Sequence, residues 1–226
     1  MPKMHERVQR LHEIEAVIFD LDGVLVDSEP IHFRAANRVL ARYGTAISDA
    51  DYRTYIGLGE GPTWTDWRRR FGLRPSLHSL LEHHTAARLQ EIAAGVPAIA
   101  DAVDLARRLR DDAVPLAIAS SSTPAVIDAL LTALGLADVF SLRVSGEDPE
   151  VHAGKPAPDI YQCAAARLGV APTACVAIED SGPGVLAATR AGMFCIAVPT
   201  RWTADQDFSA ADVVMESLRY FPLLVG

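Results

Sequence analysis

The sequence predicts an α/β protein, a doubly wound parallel sheet of Rossmann-like build that carries an inserted all-α unit. Three observations predict it. Short apolar runs recur and each ends in polar residues, as strands buried on both faces of a parallel sheet do. Helical stretches with legible starts and stops alternate with those runs from about residue 105 onward. One long stretch after the first run has helical patterning only, and so interrupts the alternation.

In chain order, the first strand is Ala16–Phe19 (AVIF), running into Asp20. Residues 31–43 read as a helix stopped by Gly44, and 49–56, 63–71 and 76–94 as three more. Gly57, Gly59, Gly61 and Pro62 mark a loop between the second and third of these. The helices make up an insertion over residues 28–96, which leaves residues 1–27 and 97–226 as the α/β core. The insertion departs after one strand and returns before the next, so it sits at one sheet edge and can act as a lid.

The second strand, 116–119 (LAIA), leads into Ser120. A helix over 123–134 follows, with Thr123 as its cap, Pro124 at its first position and Gly135 at its stop. Residues 142–144 form a strand before Ser145 and Gly146, and 158–168 a helix closed by Gly169. Residues 175–178 (CVAI) run into Glu179 and Asp180, followed by a helix over 182–190 that stops near Gly192. The last strand, 194–198 (FCIAV), ends at Pro199.

Composition narrows the function. With 226 residues, 50% apolar and 22% charged, the chain can bury a full core without disulfides. Twenty-one basic against 29 acidic residues give a net charge of −8, which argues against a nucleic-acid partner. A small anionic substrate remains compatible if its site is locally positive. No apolar run approaches the ~18–20 residues of a membrane span. Residues 1–16 lack the apolar centre of a signal peptide. A monomer in the cytoplasm, without a membrane partner, is expected. Cys163, Cys175 and Cys195 are scattered among alanines and valines and read as buried thiols, not as metal ligands or disulfides.

Four polar clusters stand at or near the carboxyl ends of the strands: Asp20-Leu21-Asp22-Gly23, Ser120-Ser121-Ser122, Gly154-Lys155-Pro156 and Glu179-Asp180-Ser181-Gly182. That edge of an open α/β sheet is one crevice, so residues far apart in sequence can meet there. Asp20, Glu179 and Asp180 offer hard oxygen ligands of the kind Mg²⁺ takes. Without a cation, carboxylates so gathered would repel one another and their pKa values would rise. Lys155 and the hydroxyl and amide groups at Ser120 and Ser121 can hold phosphate oxygens. A carboxylate can serve as nucleophile and form an aspartyl-phosphate, and a second carboxyl two residues on can act as acid, then base. Taken alone, an Asp-Gly pair would read as a turn and Glu179–Asp180 as a helix N-terminal acidic pair; it is their joint occurrence that points to chemistry.

FDLDGVLVDSEP, AIASSS, GKPAPDIY and IEDSGPGV resemble, in order and spacing, the four motifs of the haloacid dehalogenase superfamily. The resemblance spans about residues 15–214 and lies nearest the β-phosphoglucomutase-like and sugar-phosphatase branch, whose helical cap the insertion resembles. It implies that Asp20 is the nucleophile and that Asp22 is the general acid/base, with its main-chain carbonyl a metal ligand. It implies that Ser120 binds the transferring phosphoryl group, that Lys155 bridges phosphate and nucleophile, and that Asp180 ligates Mg²⁺, with Glu179 doing so directly or through water. Gly23 gives the chain its sharp departure after the first strand.

The expected activity is Mg²⁺-dependent hydrolysis of a small phosphorylated metabolite, with sugar phosphates first. The alternative is a β-phosphoglucomutase-like phosphomutase. In those mutases an arginine in the cap loop grips the second phosphate, whereas here Glu60 stands near that place. Dehalogenases lack the second aspartate, and a phosphonatase needs a cap lysine, which this insertion does not contain. In the insertion, His32 matches a histidine that contacts the site in β-phosphoglucomutase-like proteins; otherwise it is a surface or core histidine. Trp64, Trp67 and Phe71 read as core, Arg68 to Arg70 as a solvated face, and the adjacent His83 and His84 as no metal site.

Overall fold

The apolar runs assemble side by side in the computed structural model, which describes residues 14–221. The stretch 1–13, assigned above to the core and read for a leader, lies outside the described residues. Strands β1 (Ala16–Phe19), β2 (Leu116–Ser120), β3 (Leu142–Ser145), β4 (Cys175–Glu179), β5 (Phe194–Ala197) and β6 (Val213–Val214) form one sheet in the order β3-β2-β1-β4-β5-β6. Every pairing is parallel. The chain builds outward from β1 to β3, then returns to the other side of β1 with β4. The order therefore reverses between β1 and β4, and a crevice opens at their carboxyl ends.

The helices are α1 (Glu29–Ala41), α2 (Asp49–Arg53), α3 (Glu60–Arg70), α4 (Leu77–Ala93), α5 (Ala100–Asp111), α6 (Pro124–Ala133), α7 (Asp159–Leu168) and α8 (Gly182–Arg190). Strand alternation decides which side chains meet which layer. Val17, Phe19, Ile118, Ile178 and Ile196 point to a face covered by α5 and α6. Ala16, Ile18, Ala117, Ala119 and Ala177 point to the other, under α7 and α8. That second face is rich in alanine, so its helices sit close to the sheet and carry the polar loops at their ends near the crevice.

Helices α1 to α4 bury a separate core in which Val39, Leu40, Tyr52, Trp64, Trp67 and Leu80 meet. Arg34 Nε and Arg38 Nη2 donate to opposite oxygens of the buried Glu91 at 2.7 and 2.5 Å, clamping α1 to α4. The two segments that join these helices to the sheet run side by side. Val26 bridges Ala98, and the Asp27 amide donates to the Pro97 carbonyl at 2.9 Å.

Several local readings change. Helix α5 (Ala100–Asp111) has no counterpart in the sequence reading, and α1 runs Glu29–Ala41 instead of 31–43. Helix α2 ends at Arg53 and turns continue to residue 57. Helix α3 starts at Glu60, so Gly61 and Pro62 lie in its first turn and not in the loop. Proline is tolerated there because no N–H is needed in a first turn, and Gly59 makes the entry with a φ of +78°. Thr123 occupies the cap position of α6, yet its hydroxyl makes no capping bond and Pro124 supplies the start. Among the described residues, no helix is long and apolar enough to cross a membrane.

Candidate active site

Four chain segments deliver their polar groups to the β1–β4 crevice. Asp20 follows β1 directly and is fixed by its amide, which donates to the Ile178 carbonyl at 2.9 Å. Lys155 reaches in from the loop before α7. Its Nζ donates to Asp20 Oδ1 at 2.6 Å, to Glu179 Oε1 at 2.5 Å and to the Ala119 carbonyl at 3.2 Å. Glu179, the last residue of β4, is fully buried. The Tyr161 hydroxyl donates to its Oε1 at 2.7 Å, while the Asp180 amide and Ser181 hydroxyl donate to its Oε2, both at 3.1 Å.

Asp20, Glu179 and Asp180 each offer an oxygen within 4.8 Å of the others. Two glycines make room for this cluster. A Cβ on Gly23 would lie 2.1 Å from Asp180 Oδ2, and one on Gly184 would lie 2.0 Å from the Glu179 carboxyl. Burial pushes Asp20 up to about 8; Lys155 opposes this, and the charges of Glu179 and Asp22 add to it. Burial, Glu179 and Asp20 likewise raise Asp180. Burial alone would lower Lys155, but Asp20 and Glu179 outweigh it and hold the ammonium above its ordinary value. A set of hard oxygens that resist ionising together is one that could hold a small divalent cation.

Asp22 sits on the other side of Asp20, in a different environment. Its Oδ2 accepts from Ser122 Oγ at 2.8 Å and from Ser120 Oγ at 3.4 Å. Its Oδ1 lies 3.4 Å from His32 Nε2 and accepts from Arg88 Nη2 at 3.5 Å. Burial would raise this carboxyl, but the His32 hydrogen bond and the Arg88 and His32 charges outweigh it and hold the group well below the usual carboxylate range. Two aspartates two residues apart thus have opposed electrostatics, the arrangement by which neighbouring carboxyls take different tasks.

A cavity of about 470 Å³ opens above this floor and extends between the sheet edge and helices α1 to α4. Asp20, Asp22, Gly23, Ser121, Lys155 and Asp180 line its inner end, and His32 and Glu60 its helical side. Ser120 and Glu179 lie fully buried just behind the lining. Every predicted site residue is therefore in or against one pocket. Trp64 and Trp67 are 1% exposed and belong to the helical core as expected, while also backing the cavity wall.

Four residues reach the site in ways the sequence does not announce. Arg88, 1% exposed on α4, donates to Glu60 Oε1 at 2.6 Å and to Ser122 Oγ at 3.0 Å, as well as to Asp22. His84 is buried one turn earlier, its Nδ1 3.3 Å from Glu60 Oε2. The spacing of His84 and Arg88 puts them on one face of the helix, a signal that was available. Ser122 was read only as part of a serine run. Tyr161 closes the GKPAPDIY motif, yet nothing in the sequence says that its hydroxyl turns toward Glu179.

An oxygen-rich pocket with one lysine at the switch point of a parallel sheet is the working end of an α/β phosphatase. Its lineage is equally plain, since residues 14–192 match the haloacid dehalogenase-like hydrolases and the chain belongs to that family. It is 36% identical to Protein CbbY of Rhodobacter capsulatus over 88% of this chain and 92% of that one. It is 34% identical to fructose-1-phosphate phosphatase YqaB of Escherichia coli over 80% of this chain and 95% of that one. The crystal structure of CbbY from Rhodobacter sphaeroides in complex with xylulose-(1,5)bisphosphate superposes with a TM-score of 0.83 at 27% identity, covering 92% of this chain and 96% of that one.

Proposed function

We propose that this phosphatase hydrolyses the phosphate monoester of a small sugar or sugar alcohol with Mg²⁺ and through an aspartyl-phosphate on Asp20. The observation that carries the reading is the contrast between Asp20 and Asp22: one is buried against Lys155 and two further carboxylates, the other is held ionised by hydroxyls, His32 and Arg88. The named activities of the relatives support a phosphorylated carbohydrate as substrate.

Asp20 Oδ attacks phosphorus, the P–O bond to the substrate breaks, and the leaving alkoxide takes a proton from Asp22, which must have picked one up beforehand. Asp22, again a carboxylate, then removes a proton from water as that water attacks the phospho-Asp20, releasing inorganic phosphate and restoring the Asp20 carboxylate. Lys155 orients Asp20 and pairs with the phosphoryl oxygens; Ser120 and the Ser121 amide complete their cradle, and Gly23 leaves room beside Asp180. Asp20, Asp180, Glu179 and the Asp22 main-chain carbonyl would hold Mg²⁺, whose charge offsets that of the phosphoryl oxygens and the nucleophile. Residues 28–96 serve as a cap that excludes water from the cavity, with His32 and Glu60 facing the substrate.

A panel of phosphorylated sugars and sugar alcohols assayed for phosphate release, with Mg²⁺ and after chelation, tests this directly. Turnover is expected only with the metal, and Asp20→Asn should abolish it while leaving the thermal melt intact. A hydroxylamine-labile phosphoprotein should accumulate in rapid-quench experiments with the unaltered chain. Full activity after chelation, or near-normal kcat in Asp20→Asn, refutes the reading. Glu60 in the cap, in place of an arginine, weighs against the phosphomutase alternative.

A further inference from the structure

The charges around the cavity beyond its inner end are one-sided. Asp27, Glu29, Glu60 and Glu147 line it there, and Lys155 at the floor is the one lysine or arginine among the lining residues described. Lys155 is committed to Asp20 and Glu179. Arg88 stands behind the lining and is committed as well, with one Nη on Glu60 at 2.6 Å and the other on Ser122 at 3.0 Å and Asp22 at 3.5 Å. Glu60 is saturated in turn, with Arg88 on one oxygen, His84 on the other at 3.3 Å, and His32 Nδ1 4.0 Å away.

Two more arginines reach the rim, and neither points a free charge inward. Arg53 donates to Asp49 at 2.7 Å and Arg201 to Asp27 at 3.0 Å, and each guanidinium lies 4.5 Å from the centre of the Trp202 ring. Trp202 is itself fixed by its Nε1–H, which donates to Asp27 at 2.8 Å. Tyr52, Tyr55, Trp64, Trp67 and Trp202 add ring faces and edges to the same walls. Carboxylate acceptors beside aromatic faces suit hydroxyl donors and C–H surfaces. A second phosphate would bring further negative charge against carboxylates, with no uncommitted lysine or arginine among the described lining residues to meet it.

We infer that the cavity selects phosphate monoesters whose leaving group is an uncharged polyol and excludes esters bearing a second phosphate, and that Glu60 sets this exclusion by keeping Arg88 engaged. The inference rests on the phosphomonoesterase reading above and adds a rule of selection to it. It also separates this chain from the CbbY of Rhodobacter sphaeroides, whose structure holds a sugar bisphosphate. Removing the Glu60 charge would both reduce the repulsion and release one arm of Arg88 for an anion.

The test compares kcat/KM for fructose 1-phosphate and fructose 1,6-bisphosphate, with sorbitol 6-phosphate and p-nitrophenyl phosphate alongside, for the unaltered chain, Glu60→Gln and Glu60→Asp. The unaltered chain should favour the monophosphate by at least about tenfold, a difference of about 1.4 kcal/mol. Glu60→Gln should shrink that ratio at least about tenfold, and Glu60→Asp should retain most of it. Added salt should narrow the ratio in the unaltered chain, because screening weakens the repulsion. If Glu60→Gln does not fold, the ratio of the unaltered chain and its salt dependence decide. Equal or better turnover of the bisphosphate overturns the inference, as does a ratio untouched by Glu60→Gln or by salt, or a p-nitrophenyl phosphate kcat/KM above that of both polyol monophosphates. In each of these cases the phosphatase reading stands. Absence of turnover on every ester overturns that reading and the inference with it.

Discussion

Replacing Tyr161 with Phe isolates one hydrogen bond at the floor of the site. The Tyr161 side chain is fully buried, and its hydroxyl donates to Glu179 Oε1 at 2.7 Å. Phe keeps the ring, and with it the packing under α7 and the placement of Lys155 Nζ 5.2 Å from the ring centre. What goes is a charge-assisted bond to a carboxylate that no water reaches. Such bonds contribute roughly 1.5–3 kcal/mol. Glu179 retains Lys155, Ser181 and the Asp180 amide, so the lower part of that range, about 1.5–2 kcal/mol, is expected. For a chain of this size each kcal/mol moves the melting temperature by about 2–4 °C, so a drop of about 3–8 °C should appear by calorimetry or circular dichroism. A melt within about 1 °C of the unaltered chain would show that Glu179 is satisfied without the phenol, and the account of the buried carboxylate would fail.

Two further outcomes follow from the same geometry. Gly184→Ala would put a Cβ 2.0 Å from the Glu179 carboxyl; that carboxyl cannot swing aside without giving up Lys155, Tyr161 and Ser181, so a loss above the ~1–3 kcal/mol of ordinary overpacking is expected in denaturant melts, and a soluble variant of unchanged stability would contradict the packing. For Glu60, burial would raise the carboxyl, but the hydrogen bond from His84 and the charge of Arg88 prevail and lower it from its ordinary 4.5. Its contribution to stability is then complete above that ordinary value and is lost progressively as the pH falls below it, because the unfolded chain takes up the proton first. The stability gap between the unaltered chain and Glu60→Gln should be largest near pH 7 and narrow below pH ~4.5; a gap constant with pH refutes the pairing.

How much of this was legible depended on whether the signal was local. Five of the strands stand where short apolar runs meet polar residues, and α8 spans residues 182–190 as read, because an acidic pair, a Pro in the first turn and a Gly stop are all chain-local signs. β6 is two residues long, too short for any periodicity to register. Helix α3 begins earlier than read because Gly61 and Pro62, breakers in isolation, are harmless in a first turn. The carboxylates and Lys155 were legible because strand ends converge by topology alone. Arg88 was not, since an arginine in an exposed-looking helical stretch reads as solvated. Its burial comes from α4 packing toward Ser122, a contact across 34 residues.

The electrostatics of the floor set a requirement that no side chain of the site meets. Asp20, Glu179 and Asp180 carry three formal negative charges, and among the described residues Lys155 is the one cation bonded to any of them. Arg88 bonds none of the three, since its two Nη groups go to Glu60, Ser122 and Asp22. The excess is therefore two charges in a buried volume; burial, reinforced by the neighbouring carboxylates, pushes Asp20 up to about 8 and also holds Asp180 well above the ordinary carboxylate range. In the proposed reaction a divalent cation held by Asp20, Glu179 and Asp180 would balance that excess and favour the carboxylate form of Asp20, with Lys155 facing the phosphoryl oxygens. Gly23 and Gly184 belong to the same logic: each is where a side chain would fill the space beside a carboxylate. The backbone at these two positions gives way to carboxylates that crowd together despite their charge, which is the arrangement the proposed binding of a metal beside a phosphate ester would use.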